Sequence, residues 1–486
     1  MPKGVKCGAW ALGCGTADLR DWLPLAFNAG NDIPGAGQRG NCMRDLARLT
    51  ATQAAAAIRQ GRITSEALVE ACLARISERE PEVQAWAYLD PEFALRQARA
   101  ADAARRMIPN VGPLHGVPVG VKDIIDTSEQ PTECGTAIFK GRRPSADAFV
   151  VQQLKRAGAV ILGKTVTTEL AFFGPGKTRN PHNPEHTPGG SSSGSAATVA
   201  DFQIPLALGT QTAGSIIRPA SYCGVIGFKP TFGFVSRAGV LGQSAPLDTI
   251  GGYARCIEDI ALLLDCMMGF DDCDPGMIDA PRPWLTSALA DAAPGAARLA
   301  FVKSPAWSQG EAAMHETLAG FVRRLGPDIV EEVELPAAFA ETGGLQRAVQ
   351  FRDIARSYGP LLDANPDAMS TKLVEVIGEG RKVTDDEYTA ACARREPLYQ
   401  MLAPLFLRYD AILTPASTGP APKGLGSTGS PAFNFLWTYL GMPALSLPLL
   451  QAGGMPLGVQ LVGARGTDGR LLRTARQLMT LAHDRP

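Results

Sequence analysis

The sequence of 486 residues has no Cys-x-x-Cys pair, although ten cysteines are spread singly from Cys7 to Cys392. Closely spaced pairs are typical of zinc ribbons and of thioredoxin-like redox sites, so their absence disfavours both classes of site. Single thiols are usually buried residues of proteins from a reducing compartment. The cysteine pattern therefore predicts a cytoplasmic protein with no metal site.

Long basic runs and long apolar runs are missing as well. Lys and Arg number 47 against 48 Asp and Glu, for a formal net charge of −1, so the basic patch of a nucleic-acid-binding protein is not expected. No apolar run approaches the roughly 20 residues that cross a bilayer, and the N-terminus lacks the apolar stretch of a secretory signal. We therefore expect neither nucleic acid nor membrane as a partner.

Regular secondary structure is predicted only after the first 42 residues. Residues 1–42 contain eight glycines and show no sustained period, which predicts a loose N-terminal extension. Beyond it, helical segments alternate with short β-rich runs, as where Val117, Val119 and Val121 share one face of a predicted strand. This alternation predicts one large α/β domain over 43–486, with a more helical region at about 275–430.

Two short motif matches lack the structural context that their chemistry requires. The stretch "GAVILGKT" (158–165) matches a phosphate-binding loop, but its apolar interior predicts a buried strand ending at Gly163. The stretch Gly190–Gly194 fits G-x-S-x-G, with Ser192 as nucleophile, yet the Pro-rich segment before it cannot form the strand that such an elbow needs. Neither a nucleotide-binding protein nor a Ser-His-Asp hydrolase is favoured.

Three blocks resemble the amidase signature hydrolases in order, spacing and local sequence. They are "GPLHGVPVGVKDIIDT" (112–127), "TPGGSSSGSAATVA" (187–200) and "LGTQTAGSIIRPASYCGVIGFKPTFG" (208–233). The resemblance covers roughly 43–480, with core motifs at about 112–265. It implies a single domain with a mixed, twisted β-sheet covered by helices on both faces, and hydrolysis of C–N bonds without a cofactor.

The same resemblance implies a Ser-cisSer-Lys triad. Lys122 is the implied base, Ser191 the serine after a cis peptide bond, and Ser215 the nucleophile. Main-chain amides of Thr212, Ala213, Gly214 and Ser215 are the implied oxyanion hole. The chemistry is consistent with these residue types, because a serine needs an adjacent base and a lysine serves as one when burial keeps its amine neutral near pH 7.

The nucleophile block departs from the usual family sequence. Gln211 stands where most members have Asp, Ala213 replaces a Gly, and Ile217 followed by Arg218 places the arginine one position later. This version resembles a subgroup that includes malonamidase-like enzymes. Arg218 is a candidate for binding a substrate carboxylate, because a guanidinium matches it with two parallel hydrogen bonds. The alternative is an ion pair that supports the loop.

These observations predict a stand-alone amidase that hydrolyses a small carboxylic amide through a seryl acyl-enzyme, with aryl amides, ureas and carbamates left open. The small-molecule amide is then the only required partner, and a homodimer is compatible with the sequence. An amidotransferase A-type subunit that needs partner subunits is the alternative, which the exchanges at Gln211 and Ile217 disfavour. Gly190 and Ser192 are further substrate-binding candidates. Phe172, Phe433 and Trp437 are candidates for the wall of an apolar pocket, with buried packing as an equal alternative.

Overall fold

The computed structural model describes residues 39–484, apart from Pro109, 280–281, 283 and 292–294. Residues 1–38 of the predicted extension thus lie outside the described residues. The last four residues of the extension belong to the first helix, Arg39–Arg48. The next helix begins with the capping box of Thr50 and Gln53, in which each side chain pairs with the other residue's main-chain N–H.

In the described part of the chain, eleven strands form one mixed sheet in the order β1-β3-β2-β4-β6-β5-β10-β11-β9-β7-β8. The pairs β2–β3, β2–β4, β7–β8 and β7–β9 are parallel, and the remaining neighbours are antiparallel. The strands are β1 Trp86–Leu89, β2 Pro118–Lys122, β3 Val160–Thr165, β4 Leu206–Gln211, β5 Ile226–Lys229, β6 Thr249–Ala254, β7 Leu299–Phe301, β8 Val330–Glu332, β9 Ala411–Pro415, β10 Ala444–Ala452 and β11 Met455–Val462.

Helices cover both faces of this sheet, so the predicted fold class is confirmed. Alternate residues of β3 and β4 enter different cores: Ile161 and Leu208 pack in one, Leu162 and Ala207 in the other. The helices are α1 Arg39–Arg48, α2 Ala51–Arg59, α3 Ser65–Val83, α4 Pro91–Met107, α5 Phe149–Arg156, α6 Ser193–Ala200, α7 Ile217–Cys223, α8 Ile257–Met267, α9 Leu285–Ala290, α10 Ala312–Leu325, α11 Thr342–Ala364, α12 Thr371–Lys382, α13 Asp385–Ala393, α14 Arg395–Leu402, α15 Phe435–Tyr439 and α16 Asp468–Asp484.

The stretch that matches a phosphate-binding loop is a buried strand, β3, which runs past Gly163 to Thr165. The ammonium of Lys164 is buried and bound to groups inside the protein. It donates to the main-chain carbonyls of Ile125 and Pro131 and lies 3.4 Å from a carboxylate oxygen of Asp123. Since neither the loop nor the lysine is available to a phosphate, the nucleotide-binding alternative is wrong.

The region at about 275–430 contributes strands β7, β8 and β9 to one end of the sheet as well as helices α9 to α14. It is therefore continuous with the core and does not form a separate helical unit. Each helix within the described ranges is too short or too polar to cross a membrane.

Candidate active site

The three blocks meet at one edge of the sheet. Strands β2 and β4 are parallel neighbours, so their carboxyl ends lie together, and these ends carry Lys122 and the loop 212–215. Helix α6, which packs on β4, brings the preceding loop Gly189–Ser192 to the same edge. Parallel pairing thus brings together residues that are nearly 100 positions apart in the sequence.

Lys122 is completely buried and has two hydroxyl partners. Its Nζ lies 2.7 Å from Ser191 Oγ and 2.7 Å from Thr210 Oγ1. Burial lowers the pKa of Lys122 to about 7, although the nearby Asp248 carboxylate opposes the shift. A neutral amine that donates to Thr210 keeps its lone pair for the Ser191 hydroxyl. The role of Thr210 depends on the register between β2 and β4, which the sequence does not reveal.

Ser191 and Ser215 line one small cavity that opens to solvent. The peptide bond between Gly190 and Ser191 is cis. The other residues that line the cavity are Ala171, Phe172, Phe173, Ala213, Gly214, Arg218, Gln243, Gln350 and Pro431. The two serines of the implied triad therefore face a common space that a small substrate group can enter.

Four of the predicted substrate-binding residues, Gly190, Ser192, Phe433 and Trp437, are not among those that line this cavity. Ser192 is fully buried, and its Oγ donates to the main-chain oxygen of Thr210 and accepts from the main-chain N–H of Thr210. Phe433 and Trp437 are core residues with no more than 1% of their surface exposed. Phe172 does line the cavity, and the main-chain oxygen of Gly190 accepts from Arg218.

The loop 212–215 is held by the residue at which the sequence departs from the family pattern. Gln211 Oε1 accepts from the main-chain N–H groups of Ile216 and Ile217, at 2.8 and 3.0 Å. Gln211 Nε2 donates to Thr438, whose hydroxyl donates to the main-chain oxygen of Ala213. The glutamine therefore satisfies the first N–H groups of α7 and links the loop to α15.

The main-chain N–H groups of Ala213, Gly214 and Ser215 form no hydrogen bond within the described residues. A Cβ at Gly214 would lie only 2.3 Å from Asn434 Oδ1, so a glycine is required there. Free N–H groups at the entrance to a helix suit a developing oxyanion. This is the segment in which the resemblance implies the oxyanion hole.

Gln211→Leu is expected to lower kcat for amide cleavage about tenfold, because the loop 212–215 loses its support. It is also expected to lower Tm, since two buried N–H groups lose their acceptor at a cost of about 1–3 kcal/mol each. Gln203→Leu is a matched control, because Gln203 is also buried and accepts from the Trp86 indole away from the cavity. Steady-state kinetics and thermal melts of both variants test this. A fall in Tm alone in the Gln211 variant would contradict the role in holding the loop.

Arg218 is 2% exposed, and only one of its three guanidinium nitrogens has hydrogen-bond partners among the described residues. Its Nη2 donates to the main-chain oxygen of Gly190 at 2.7 Å and to Thr428 Oγ1 at 3.2 Å. Its Nε and Nη1 have no partner among the described residues, and no ion pair forms there with an acid. Burial lowers the pKa of Arg218 to about 10. The supporting ion pair that was the alternative is thus absent from the described part of the molecule.

The sequence analysis did not predict a chain of three glutamine side chains beside the cavity. Gln346 donates to the main-chain oxygen of Thr212 and to Gln350, and Gln350 donates to Gln243. Gln346 and Gln350 come from α11, in the region with no recognisable motif. No sequence signal could have identified them, since their role depends on how α11 packs against the loop.

The sequence profile of the family described as amidase matches residues 67–472, so the chain belongs to that family. It is therefore an enzyme of a family that acts on C–N bonds. It is 33% identical over 485 residues to the A subunit of glutamyl-tRNA(Gln) amidotransferase from Chloroflexus aggregans, with 91% of this chain and 99% of that protein covered.

Two solved structures are similar to the whole described fold. The first belongs to an unexpected vestigial protein complex that reveals the evolutionary origins of an s-triazine catabolic enzyme. It has a TM-score of 0.82 and 28% identity, with 89% of this chain and 98% of that chain covered. The second is a peptide amidase in complex with the inhibitor chymostatin. Its TM-score is 0.77 and its identity 29%, with 91% and 99% covered.

The prediction of a stand-alone small-molecule amidase is wrong, and so is the prediction that a small-molecule amide is the only required partner. Relatives from several bacteria, 32% to 34% identical over about nine-tenths of the chain, are A subunits of an amidotransferase, which favours the alternative. The exchange at Gln211 misled the prediction. Gln211 keeps the loop in place, so the missing Asp and Arg do not exclude an amidotransferase role.

Proposed function

We propose that this chain is the amide-cleaving subunit of an amidotransferase-type complex, in which it releases ammonia from a carboxamide for use by partner subunits. One observation carries the chemistry: a fully buried Lys122, with its pKa lowered to about 7, is hydrogen-bonded to Ser191 at the cavity that Ser215 lines. The A-subunit relatives support the assignment to a complex.

In the proposed mechanism, Ser215 Oγ attacks the carbonyl carbon of the amide. Its proton passes to Ser191 Oγ, which gives its own proton to the neutral amine of Lys122. The carbonyl oxygen becomes an oxyanion that accepts from main-chain N–H groups of the segment Thr212–Ser215. The C–N bond then breaks as the proton returns through Ser191 to the nitrogen, and ammonia leaves an acyl-enzyme.

Water completes the cycle along the same path. It attacks the acyl carbon, loses a proton through Ser191 to Lys122, and the ester bond to Ser215 breaks as that proton returns to Ser215 Oγ. The products are a free acid and the original enzyme. This chemistry needs no group beyond the side chains and the main-chain amides named.

Arg218 is proposed to bind a carboxylate on the amide donor. Two of its donor nitrogens, Nε and Nη1, have no partner in the described residues, and the side chain lines the cavity beside Ser215. A buried cation without an acidic partner is costly unless an anion joins it. Glutamine, which carries a carboxylate and a side-chain carboxamide, is a donor of this kind. The position of Arg218 in the sequence, three residues after Ser215, supports the proposed resemblance of this block to the malonamidase-like subgroup.

A cytoplasmic location belongs to the same proposal. Cys72, Cys134 and Cys223 are free, and burial raises the pKa of the thiols of Cys72 and Cys134 to about 12. Such thiols are unreactive and are typical of proteins from a reducing compartment.

The partner requirement is tested by affinity purification of the full chain from its native cells, followed by a glutaminase assay of the chain alone and of the co-purified assembly. The complex is expected to release ammonia from glutamine at least about tenfold faster than the chain alone. The expected reason is that binding of the partner subunits orders a catalytic loop. With glutamyl-tRNA(Gln), the complex is expected to transfer that nitrogen. Full activity of the chain alone, with no co-purified protein, would reject the proposal.

A fluorophosphonate probe tests the nucleophile independently of the natural substrate. The wild-type chain is expected to be labelled covalently, and Ser215→Ala is expected to remain unlabelled. Ser192→Ala is the matched control. Ser192 follows Ser191 in the sequence, and its hydroxyl is hydrogen-bonded to the main chain of Thr210. Labelling that survives in the Ser215 variant would reject the triad.

A further inference from the structure

The main chain at Ser215 lacks one hydrogen bond that its neighbours have. The carbonyl of Gly214 accepts from the N–H of Arg218, and the carbonyl of Ile216 accepts from the N–H of Ala220, both four residues ahead. The matching donor for the carbonyl of Ser215 would be residue 219. That residue is Pro219, which has no N–H. The first turn of α7 therefore leaves the nucleophile's own carbonyl without a helical partner.

Tyr253 provides the missing donor from another element. Its Oη donates to the main-chain oxygen of Ser215 at 3.1 Å. Tyr253 lies on β6, directly opposite Ala207 of β4, and its ring passes over Gly209. A Cβ at Gly209 would lie 2.7 Å from Tyr253 Cε2, so the glycine leaves the space that the ring occupies. The phenol is fully buried, and burial raises its pKa well above the usual value, which keeps the donor proton in place.

We propose that Tyr253 is a positioning residue for the nucleophile: it replaces the hydrogen bond that Pro219 cannot make and so fixes the orientation of the Ser215 peptide. The inference rests on the proposed role of Ser215. With Tyr253 on its carbonyl side and Gln211 bound to the next N–H, of Ile216, both polar groups of the peptide bond that follows Ser215 have a partner. A fixed peptide group limits the directions in which Ser215 Oγ points into the cavity.

The test compares single and double variants of the full chain. Tyr253→Phe removes only the phenol oxygen. Tyr253→Phe combined with Pro219→Ala adds a main-chain N–H four residues after Ser215, where the helical pattern supplies the donor. Tyr439→Phe is the matched control, since Tyr439 is also fully buried and donates to a main-chain carbonyl, that of Ala391, away from the cavity.

The readouts are the maximal rate of fluorophosphonate labelling, the probe concentration at half that rate, and Tm. Tyr253→Phe is expected to lower the maximal rate about tenfold or more, with little change in the half-saturating concentration, because reactivity and not binding depends on the orientation of Ser215. Tyr439→Phe is expected to lower Tm by a similar amount without slowing labelling. The double variant is expected to regain most of the lost rate.

Equal labelling rates for wild type and Tyr253→Phe would overturn the inference, as would a folded double variant that recovers nothing. Equal slowing in the Tyr439 variant would also overturn it, because the effect would then follow from stability. Failure of the wild type itself to label at Ser215 would instead reject the proposed function, and the positioning role with it. These results are distinguishable, since only the last concerns the unaltered chain.

Discussion

Lys122→Met is expected to slow amide cleavage by about 10³-fold or more while the protein still folds, because a positioned base contributes up to about 10⁴-fold and its loss disables the nucleophile. Methionine fills similar volume and brings no buried charge, but it cannot accept the proton that Ser191 passes on. The measurement is kcat/KM for the amide donor and, independently, the rate of fluorophosphonate labelling. A loss below about tenfold would contradict the role of Lys122 as the base.

The pH dependence gives a sharper result for the same residue. The base works only as a neutral amine, so kcat/KM of the wild type is expected to rise with pH through about 7, the value to which burial lowers the pKa of Lys122. Lys229 is the matched control: it is fully buried, its pKa is also lowered to about 7, and its Nζ donates to the main-chain oxygen of Pro230. Lys229→Met is expected to show the same rise of kcat/KM with pH, which is the acidic limb of the pH profile.

Asp248→Asn is expected to move this acidic limb to lower pH. The Asp248 carboxylate favours the protonated amine and raises the pKa of Lys122, so its neutral amide isostere lets that pKa fall further. The oxygen of asparagine can accept from the main-chain N–H groups of Gln243 and Ser244, as Asp248 Oδ2 does, and its amide can donate to the Thr212 hydroxyl. A limb that stays in place or moves to higher pH would contradict the assignment of the limb to Lys122.

Arg218→Leu is expected to lower kcat/KM about 10²-fold to 10³-fold for an amide that carries a carboxylate, because a buried charge pair is worth roughly 2–5 kcal/mol once one partner is removed. A neutral amide of similar size is expected to react at nearly the same rate as with wild type. The comparison of the two substrates is the measurement. Equal losses for both would contradict carboxylate binding.

Stability distinguishes this role from a purely structural one. Arg218 is buried with two nitrogens unsatisfied and no acidic partner in the described residues, so exchanging it for an apolar side chain removes an uncompensated charge. The Tm of Arg218→Leu is therefore expected to equal or exceed that of wild type. A clear fall in Tm would indicate that Arg218 mainly supports the loop through Gly190 and Thr428.

The sequence alone determined the fold class and the residues that meet at the edge of the sheet. The alternation of helical and β-rich segments predicted the α/β class. The resemblance of three blocks to the amidase signature hydrolases was what allowed Lys122, Ser191 and Ser215 to be named in advance. The misleading prediction was of a protein that works alone. A partner requirement depends on the molecular surface, whereas the motifs describe only the catalytic centre.

Only the tertiary structure decided which distant side chains lie at the candidate site. Gln211, Arg218 and Tyr253 each have a hydrogen-bond partner whose position depends on packing between elements, and Phe433 and Trp437 are core residues for the same reason. Main-chain turns are determined by nearby residues, but the direction and the satisfaction of a buried side chain depend on what the rest of the fold places against it. The free nitrogens of Arg218 are such a property, and no stretch of sequence encodes them by itself.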